Sequence, residues 1–136
     1  MTKKLLHKIK RLDIALADEK ERKYLAKHLQ QEIAGLIEQE PDLPHKGDHV
    51  WLWCGYYATG MVLNDGPVEE VVWRPKLQCF KVKIRFANGW YAWRTLDKIW
   101  YTEASAKRWK LSGDIERAKQ KLTELEKQLD ELLEVE

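Results

Sequence analysis

Residues 79–95 read CFKVKIRFANGWYAWRT, and the first half of this stretch alternates between apolar and cationic side chains. The apolar set is Phe80, Val82, Ile84 and Phe86, and the cationic set is Lys81, Lys83 and Arg85. A period of two predicts a strand with one buried face. Asn88-Gly89 then predicts a type I′ turn, because both central residues of that turn need positive φ. The stretch therefore predicts a β-hairpin in which residues 90–96 return antiparallel.

Shorter strands are expected upstream of this hairpin, at residues 49–54, 59–63 and 70–73. The run Asn64-Asp65-Gly66-Pro67 is made of turn-forming residues, and it predicts a turn between the second and third of these strands. Four or five short strands within about 55 residues favour a small closed antiparallel barrel over a sandwich.

We therefore divide the chain into four parts. Residues 1–40 form an N-terminal helical arm, residues 41–45 a proline-rich linker, residues 46–101 the small β-barrel, and residues 102–136 a C-terminal helical arm. The expected fold class is α+β: a small antiparallel β-barrel flanked by N- and C-terminal amphipathic helices that pair as a coiled coil.

The N-terminal arm carries two apolar stripes with helical spacing. The first contains Leu5, Ile9, Leu12 and Leu16, and the second begins at Leu25. Two alternatives are open: a hairpin near Ala17-Asp18, supported by a capping box at residues 18–21, or one helix whose buried face rotates. We favour one helix, because neither glycine nor proline interrupts the junction.

The C-terminal arm carries a seam typical of a coiled coil. Its members are spaced alternately by four and three: Leu111, Ile115, Ala118, Leu122, Leu125, Leu129 and Leu132. A helix of this kind has to bury its stripe, either against the N-terminal arm or against a second copy of the chain in a homodimer. The run Ser112-Gly113-Asp114 also suggests a break that would make residues 102–111 a separate short helix.

The central segment resembles the Tudor-like family of small Src-homology-3-type barrels. The resemblance is carried by four segments in family order: Lys46–Val50, Tyr57–Val62, Lys83–Gly89 and Thr95–Ile99. It implies the barrel fold and a binding role rather than a particular ligand. In this family an aromatic cage often holds a methylated Lys or Arg, and the matching candidates are Trp53, Tyr56, Trp90 and Trp93. The chain departs from the family pattern at Val68–Trp73, an insertion-like strand.

Aromatic and cationic side chains are concentrated in and around the barrel segment. All seven tryptophans lie between residues 51 and 109, more than so small a barrel can enclose, and residues 45–110 carry a net charge of +5. Rings beside cations suit nucleic acid, whose bases stack and whose phosphates pair with Lys and Arg, and they also suit an acidic protein surface. Arg94 is expected opposite the cationic row on the returning strand. The candidate partner-binding residues are Trp53, Tyr56, Trp90, Tyr91, Trp93, Arg94, Arg74, Lys76, Lys81, Lys83 and Arg85.

Catalysis, cofactors and metals are not expected. The sequence has no phosphate-binding glycine loop, nucleophile elbow or paired-carboxylate motif. His45 and His49 lack a third ligand at useful spacing, and Cys54 and Cys79 are expected to be buried free thiols. No segment is apolar enough for a membrane span and the N-terminus does not form a signal peptide, so we expect an intracellular, cytoplasmic protein.

The leading hypothesis is a non-catalytic binding protein whose barrel surface contacts nucleic acid or a nucleic-acid-handling protein. One alternative is a small inhibitor, of the kind that phages and mobile elements encode against host defence nucleases such as CRISPR effectors, with the same rings as interface anchors. A second alternative is a structural coiled-coil oligomer with an inert barrel.

Overall fold

A computed structural model describes residues 1–18, 23–56 and 60–135. Its elements are α1 (Lys3–Ala17), α2 (Lys23–Gln39), β1 (His49–Tyr56), β2 (Gly60–Arg74), β3 (Cys79–Arg85), β4 (Tyr91–Thr95), a 3₁₀ turn (Leu96–Lys98) and α3 (Glu103–Val135). The chain forms two units, Met1–Tyr101 and Thr102–Glu136. The α+β class is confirmed. None of the helices in the described ranges is long and apolar enough to cross a bilayer.

The four strands form one antiparallel sheet in the order β1-β2-β3-β4. Strand β2 belongs to both halves of the sheet: its first half pairs with β1 and its second half pairs with β3. The register shifts between Val68 and Glu70, which is a β-bulge at the point where the strand changes partner. The sheet is not closed, although Trp51 at its β1 edge forms an isolated antiparallel bridge with Trp100 through N···O distances of 2.7 and 3.0 Å.

The turn expected at residues 64–67 is wrong, because β2 runs through it without interruption. The surroundings of Gly66 explain why a residue typical of turns is found within this strand. A Cβ at this position would lie 2.3 Å from the carbonyl oxygen of Arg85, so only glycine lets the two backbones come this close. Pro67 follows in the same strand and pairs with His49 of β1. The glycine of this run is therefore required by the close contact between β2 and the end of β3, and it does not mark a turn.

The hairpin of β3 and β4 is confirmed, but the type I′ turn is wrong. Gly89 has a φ of 89°, whereas Gln78 is the one non-glycine residue with positive φ in the described chain, so Asn88 does not fit type I′. The Gly89 N–H donates to the Phe86 carbonyl at 3.0 Å, and the Phe86 N–H donates to the Trp90 carbonyl at 2.8 Å. A longer turn with glycine in the left-handed region therefore joins the strands.

The N-terminal arm is a helical hairpin, so the favoured single helix is wrong. Antiparallel pairing of α1 and α2 brings Lys8 within 2.6 Å of Glu32 and the N-terminal ammonium group within 2.7 Å of Asp42. The apolar stripes of both helices share one core: Leu5, Ile9, Leu12, Ala15, Ala26, Leu29, Ile33 and Ile37. Burial of both stripes against each other outweighs the lack of a glycine or proline at the reversal. The capping box at residues 18–21 lies largely outside the described residues.

The helical hairpin also packs on the sheet. Phe80 belongs to its core, and Val71 and Trp73 of β2 pack against that core. A second hydrophobic core is formed by buried side chains of β1, β2 and β3 together with Ile99, which follows the 3₁₀ turn. Its members are Val50, Leu52, Val68, Val82, Ile84 and Ile99. Phe80 shares the parity of the buried residues Val82 and Ile84 on β3, so the helices and the sheet core both lie on the apolar face of that strand. The cationic face of β3 points the other way.

Helix α3 is continuous, so the break expected at residues 112–114 is wrong. The Thr102 hydroxyl caps its start by accepting the Ser105 N–H at 3.1 Å. Asp114 supports the helix beyond the expected break through ion pairs with Lys110, at 3.0 Å, and with Arg117. Its apolar seam is more than half exposed, and pairing of the two arms as a coiled coil is not confirmed.

Candidate functional site

The cationic row of β3 lies beside two aromatic rings of β4. The register pairs Lys83 with Trp93 and Arg85 with Tyr91, and directly opposed residues of an antiparallel pair point to the same face. On the other side of β3, Arg74 of β2 is opposite Cys79 and therefore joins the same face. We call Arg74, Lys81, Lys83, Arg85, Tyr91 and Trp93 the aromatic–basic surface.

Each ring of this surface is flanked by cations. The Lys83 Nζ lies 4.5 Å from the centre of the Tyr91 ring and 5.8 Å from that of Trp93. The Arg85 guanidinium lies 5.1 Å from the Tyr91 ring, and the Arg74 guanidinium lies 4.9 Å from the Trp93 ring. Cation–π attraction at these distances holds the long cationic side chains against the sheet. Their charges are therefore arranged in advance of any partner.

Two acidic residues share the site, and sequence reasoning missed both. Glu70 is opposite Lys83 in the register and therefore joins the same face, and Glu69 contacts the cations directly. Both of its oxygens accept hydrogen bonds from Arg85, at 3.0 and 2.9 Å, and it lies 3.4 Å from the Lys83 ammonium group. The hydrogen bond from Arg85 lowers the pKa of the Glu69 carboxyl, and the charges of Arg85 and Lys83 lower it further against some desolvation. Glu69 is the extra residue of the β2 bulge, and no local pattern shows which face a bulged residue takes.

Arg94 is expected opposite the cationic row, and that expectation is wrong. It is opposite Val82, on the apolar face of the sheet. Its guanidinium donates to the Trp53 carbonyl at 3.2 Å and to the Trp93 carbonyl at 2.9 Å, and it lies 3.6 Å from the Cys54 sulfur. Arg94 thus links β4 to β1, the two edge strands of the sheet, which are not paired with each other within the described residues.

The remaining candidates are spread over three places. Trp90 stands at the end of the β3–β4 hairpin and is 74% exposed. Lys76 is exposed in the turn after β2, whereas Trp53 is half-buried in β1 and its carbonyl is the acceptor for Arg94. Tyr56 ends β1, and its side chain lies outside the described part of the chain. The structure thus groups the β2–β4 residues on one face and leaves Lys76 and Trp53 apart from them.

A groove between α2 and β2 is a second feature that the sequence did not reveal. Its volume is about 810 Å³, and Ile33 and Ile37 of α2 and Val71 and Trp73 of β2 contribute apolar lining. The Trp73 indole N–H is buried and has no hydrogen-bond partner within the described ranges. Arg74 lines the groove as well as belonging to the aromatic–basic surface, so the two features adjoin each other.

The two histidines considered as a metal pair have separate partners. The His45 Nε2 lies 2.9 Å from the Glu40 carbonyl, and the His49 Nε2 lies 2.6 Å from the Asp65 carboxylate. Within the described residues, no three His, Cys, Asp or Glu side chains are grouped so that they could hold a metal ion. Cys54 and Cys79 are free, as expected, but half-buried rather than buried.

Comparison with protein-family models, with curated proteins and with solved structures gives no match to this chain. The geometry of the site therefore carries the functional argument by itself.

Proposed function

We propose that this chain is a non-catalytic, intracellular binding protein whose aromatic–basic surface binds single-stranded nucleic acid. The observation that carries the proposal is the alignment of Arg74, Lys81, Lys83 and Arg85 with the rings of Tyr91 and Trp93 on one sheet face. A β-sheet face of this composition offers cations for a phosphate chain and rings for unstacked bases.

The exposed rings favour a single strand over a duplex. Trp90 is 74% exposed and Tyr91 is 52% exposed, so both have open surface on which a base can stack. Stacking of one base on an aromatic side chain is worth about 1–3 kcal/mol and depends little on sequence. Paired bases in a duplex are already stacked on each other, so their faces are not open to a protein ring. Ring stacking is thus available to unpaired nucleotides alone.

Glu69 limits the charge that the surface presents. It neutralises part of Arg85 and Lys83, so the four cations do not act as a uniform anion site. A nucleic-acid phosphate that approaches Arg85 competes with a bidentate carboxylate. We therefore expect moderate affinity with strong salt dependence, and preference for flexible strands that can avoid the carboxylate.

Two finer features of the fold belong to the same proposal. The Tudor-like, Src-homology-3-type barrel is supported by the Trp51–Trp100 bridge, which places the chain after the 3₁₀ turn beside β1, and by Arg94, which spans from β4 to β1. The coiled coil is proposed for α3, with a second copy of the chain as its partner. Methyl-ligand binding by Trp53, Tyr56, Trp90 and Trp93 is not part of the proposal, because the cations of this face suit an anionic ligand.

The test is a fluorescence-anisotropy titration of labelled single strands of about 16 nucleotides, DNA and RNA, between about 50 and 200 mM salt. The triple variant Lys81→Glu, Lys83→Glu and Arg85→Glu removes three phosphate partners, and its charge-matched control changes Lys10, Lys27 and Lys127 to Glu. Each lost phosphate contact reduces the slope of log affinity against log salt by roughly 0.7, so the triple variant should lose roughly 2 and the control close to nothing.

A second variant keeps the test valid if the triple variant fails to fold. Tyr91→Ala removes an exposed ring of the aromatic–basic surface, and it should weaken single-strand binding by roughly 5- to 100-fold while leaving the circular dichroism spectrum unchanged. Equal affinity of the wild type, the triple variant and Tyr91→Ala would refute the proposal. Absence of nucleic-acid binding together with a stable complex with a defence nuclease would favour the inhibitor hypothesis instead.

A further inference from the structure

Helix α3 presents a long apolar stripe that the described chain leaves exposed. It spans 33 residues, about 50 Å at the usual rise per residue. The large side chains of its seam, Leu111, Ile115, Leu122, Leu125, Leu129 and Leu132, are between 51 and 68% exposed. The remaining member, Ala118, is exposed as well. A helix of mixed charge with a continuous apolar seam is marginal in water unless another surface covers the seam.

The spacing of the seam defines a heptad frame. Ile115, Leu122 and Leu129 occupy position a, and Leu111, Ala118, Leu125 and Leu132 occupy position d. Three consecutive heptads with apolar a and d positions are the pattern of a coiled coil.

Charges beside the seam match a parallel, in-register second copy. In that arrangement each g position faces the e position five residues later on the other chain. Asp114 then faces Lys119, and Lys121 faces Glu126, each twice in the dimer, with no like-charged pair among these positions. In an antiparallel pair that aligns the same seams, Lys119 lies opposite Glu126 of the other copy, but Lys121 lies opposite the uncharged Gln128. The antiparallel pair therefore has half as many attractive charge pairs as the parallel one. Charge complementarity therefore favours the parallel dimer.

We propose that α3 is a dimerisation element, and that two copies of the chain associate through it as a parallel, in-register coiled coil. The partner is a second copy of the chain, because the charges along the seam complement each other in this register. The dimer carries two aromatic–basic surfaces. It does not depend on the nucleic-acid proposal, because the residues that form it lie on α3 alone.

The test is sedimentation equilibrium of the full chain over a range of concentrations. The wild type should change from a 16.1 kDa monomer to a dimer of twice that mass as concentration rises, and Leu122→Asp should remain monomeric. Lys121→Glu and Glu126→Lys each create two like-charged pairs per dimer, and each should weaken dimerisation on the order of tenfold. The double variant restores opposite charges and should recover most of the wild-type affinity.

The double variant distinguishes the two orientations. In the antiparallel pair Glu126→Lys faces Lys119, so combining it with Lys121→Glu would not restore dimerisation. Lys127→Glu, at the outward f position, makes the same charge change as Lys121→Glu and should leave the dimer unchanged. Failure of the double variant to recover would overturn the parallel arrangement, and a monomeric or trimeric wild type would overturn the two-stranded dimer.

Discussion

Gly66→Ala is expected to destabilise the protein strongly, because β2 and the end of β3 approach each other at this glycine. The added Cβ would lie 2.3 Å from the Arg85 carbonyl oxygen and 3.2 Å from the Ile84 Cγ2. The nearest obstacle is backbone, which cannot rotate away as a side chain does, so the strands have to separate. Overpacking of a well-packed site costs about 1–3 kcal/mol, and we expect the upper part of that range.

The assay is thermal unfolding followed by circular dichroism, with Gly35→Ala as the matched control. A loss of about 2–3 kcal/mol should lower Tm by roughly 8–20 °C in a domain of this size. Gly35 lies in α2 with nothing within 4 Å of its added Cβ, so Gly35→Ala should stabilise the protein by about 0.5–1 kcal/mol through helix propensity. A Gly66→Ala protein as stable as the wild type would show that β2 does not pass here, as the turn expected from the sequence would allow.

Two further predictions concern the N-terminal unit. Arg94→Met should lower the free energy of unfolding by about 1–3 kcal/mol in urea denaturation, because the Trp53 carbonyl loses its charged hydrogen-bond donor. The control Lys76→Met should leave the free energy of unfolding unchanged. Equal losses in the two variants would contradict a bridge from Arg94 to β1. Glu40 is buried and accepts the Thr2 N–H at 2.9 Å, which lowers the pKa of its carboxyl. The wild type should therefore be more stable than Glu40→Gln at pH 7, and should lose this advantage as pH falls below about 4.3; a constant difference would refute the assignment.

Local alternation predicted the part of the site that lies on regular strands. Lys81, Lys83 and Arg85 share a face because a strand places every second residue on the same side, and the β3–β4 hairpin follows from the glycine at its turn. The same rule places Arg94 on the opposite face of the sheet, because Arg94 is the neighbour of Trp93 in the strand. Expecting Arg94 opposite the cationic row overlooked this alternation.

Features that depend on distant parts of the chain could not be predicted in this way. Gly66 serves a contact with Arg85, nineteen positions later, and local composition suggested a turn instead. Glu69 reaches the cations through a bulge, which changes the parity of β2 without a sequence signal. The reversal between α1 and α2 depends on the match of two apolar stripes, which outweighs the uninterrupted helical pattern at the junction.

Photo-crosslinking tests the central claim most directly. A single-stranded oligonucleotide that carries 5-iodouracil is irradiated with the wild-type protein, and the attached peptide is identified by mass spectrometry. Binding at the aromatic–basic surface predicts crosslinks within residues 79–95, at Trp90, Tyr91 or Trp93, that disappear as salt is raised. Crosslinks confined to α1, α2 or α3, or no crosslink at low salt, would contradict it.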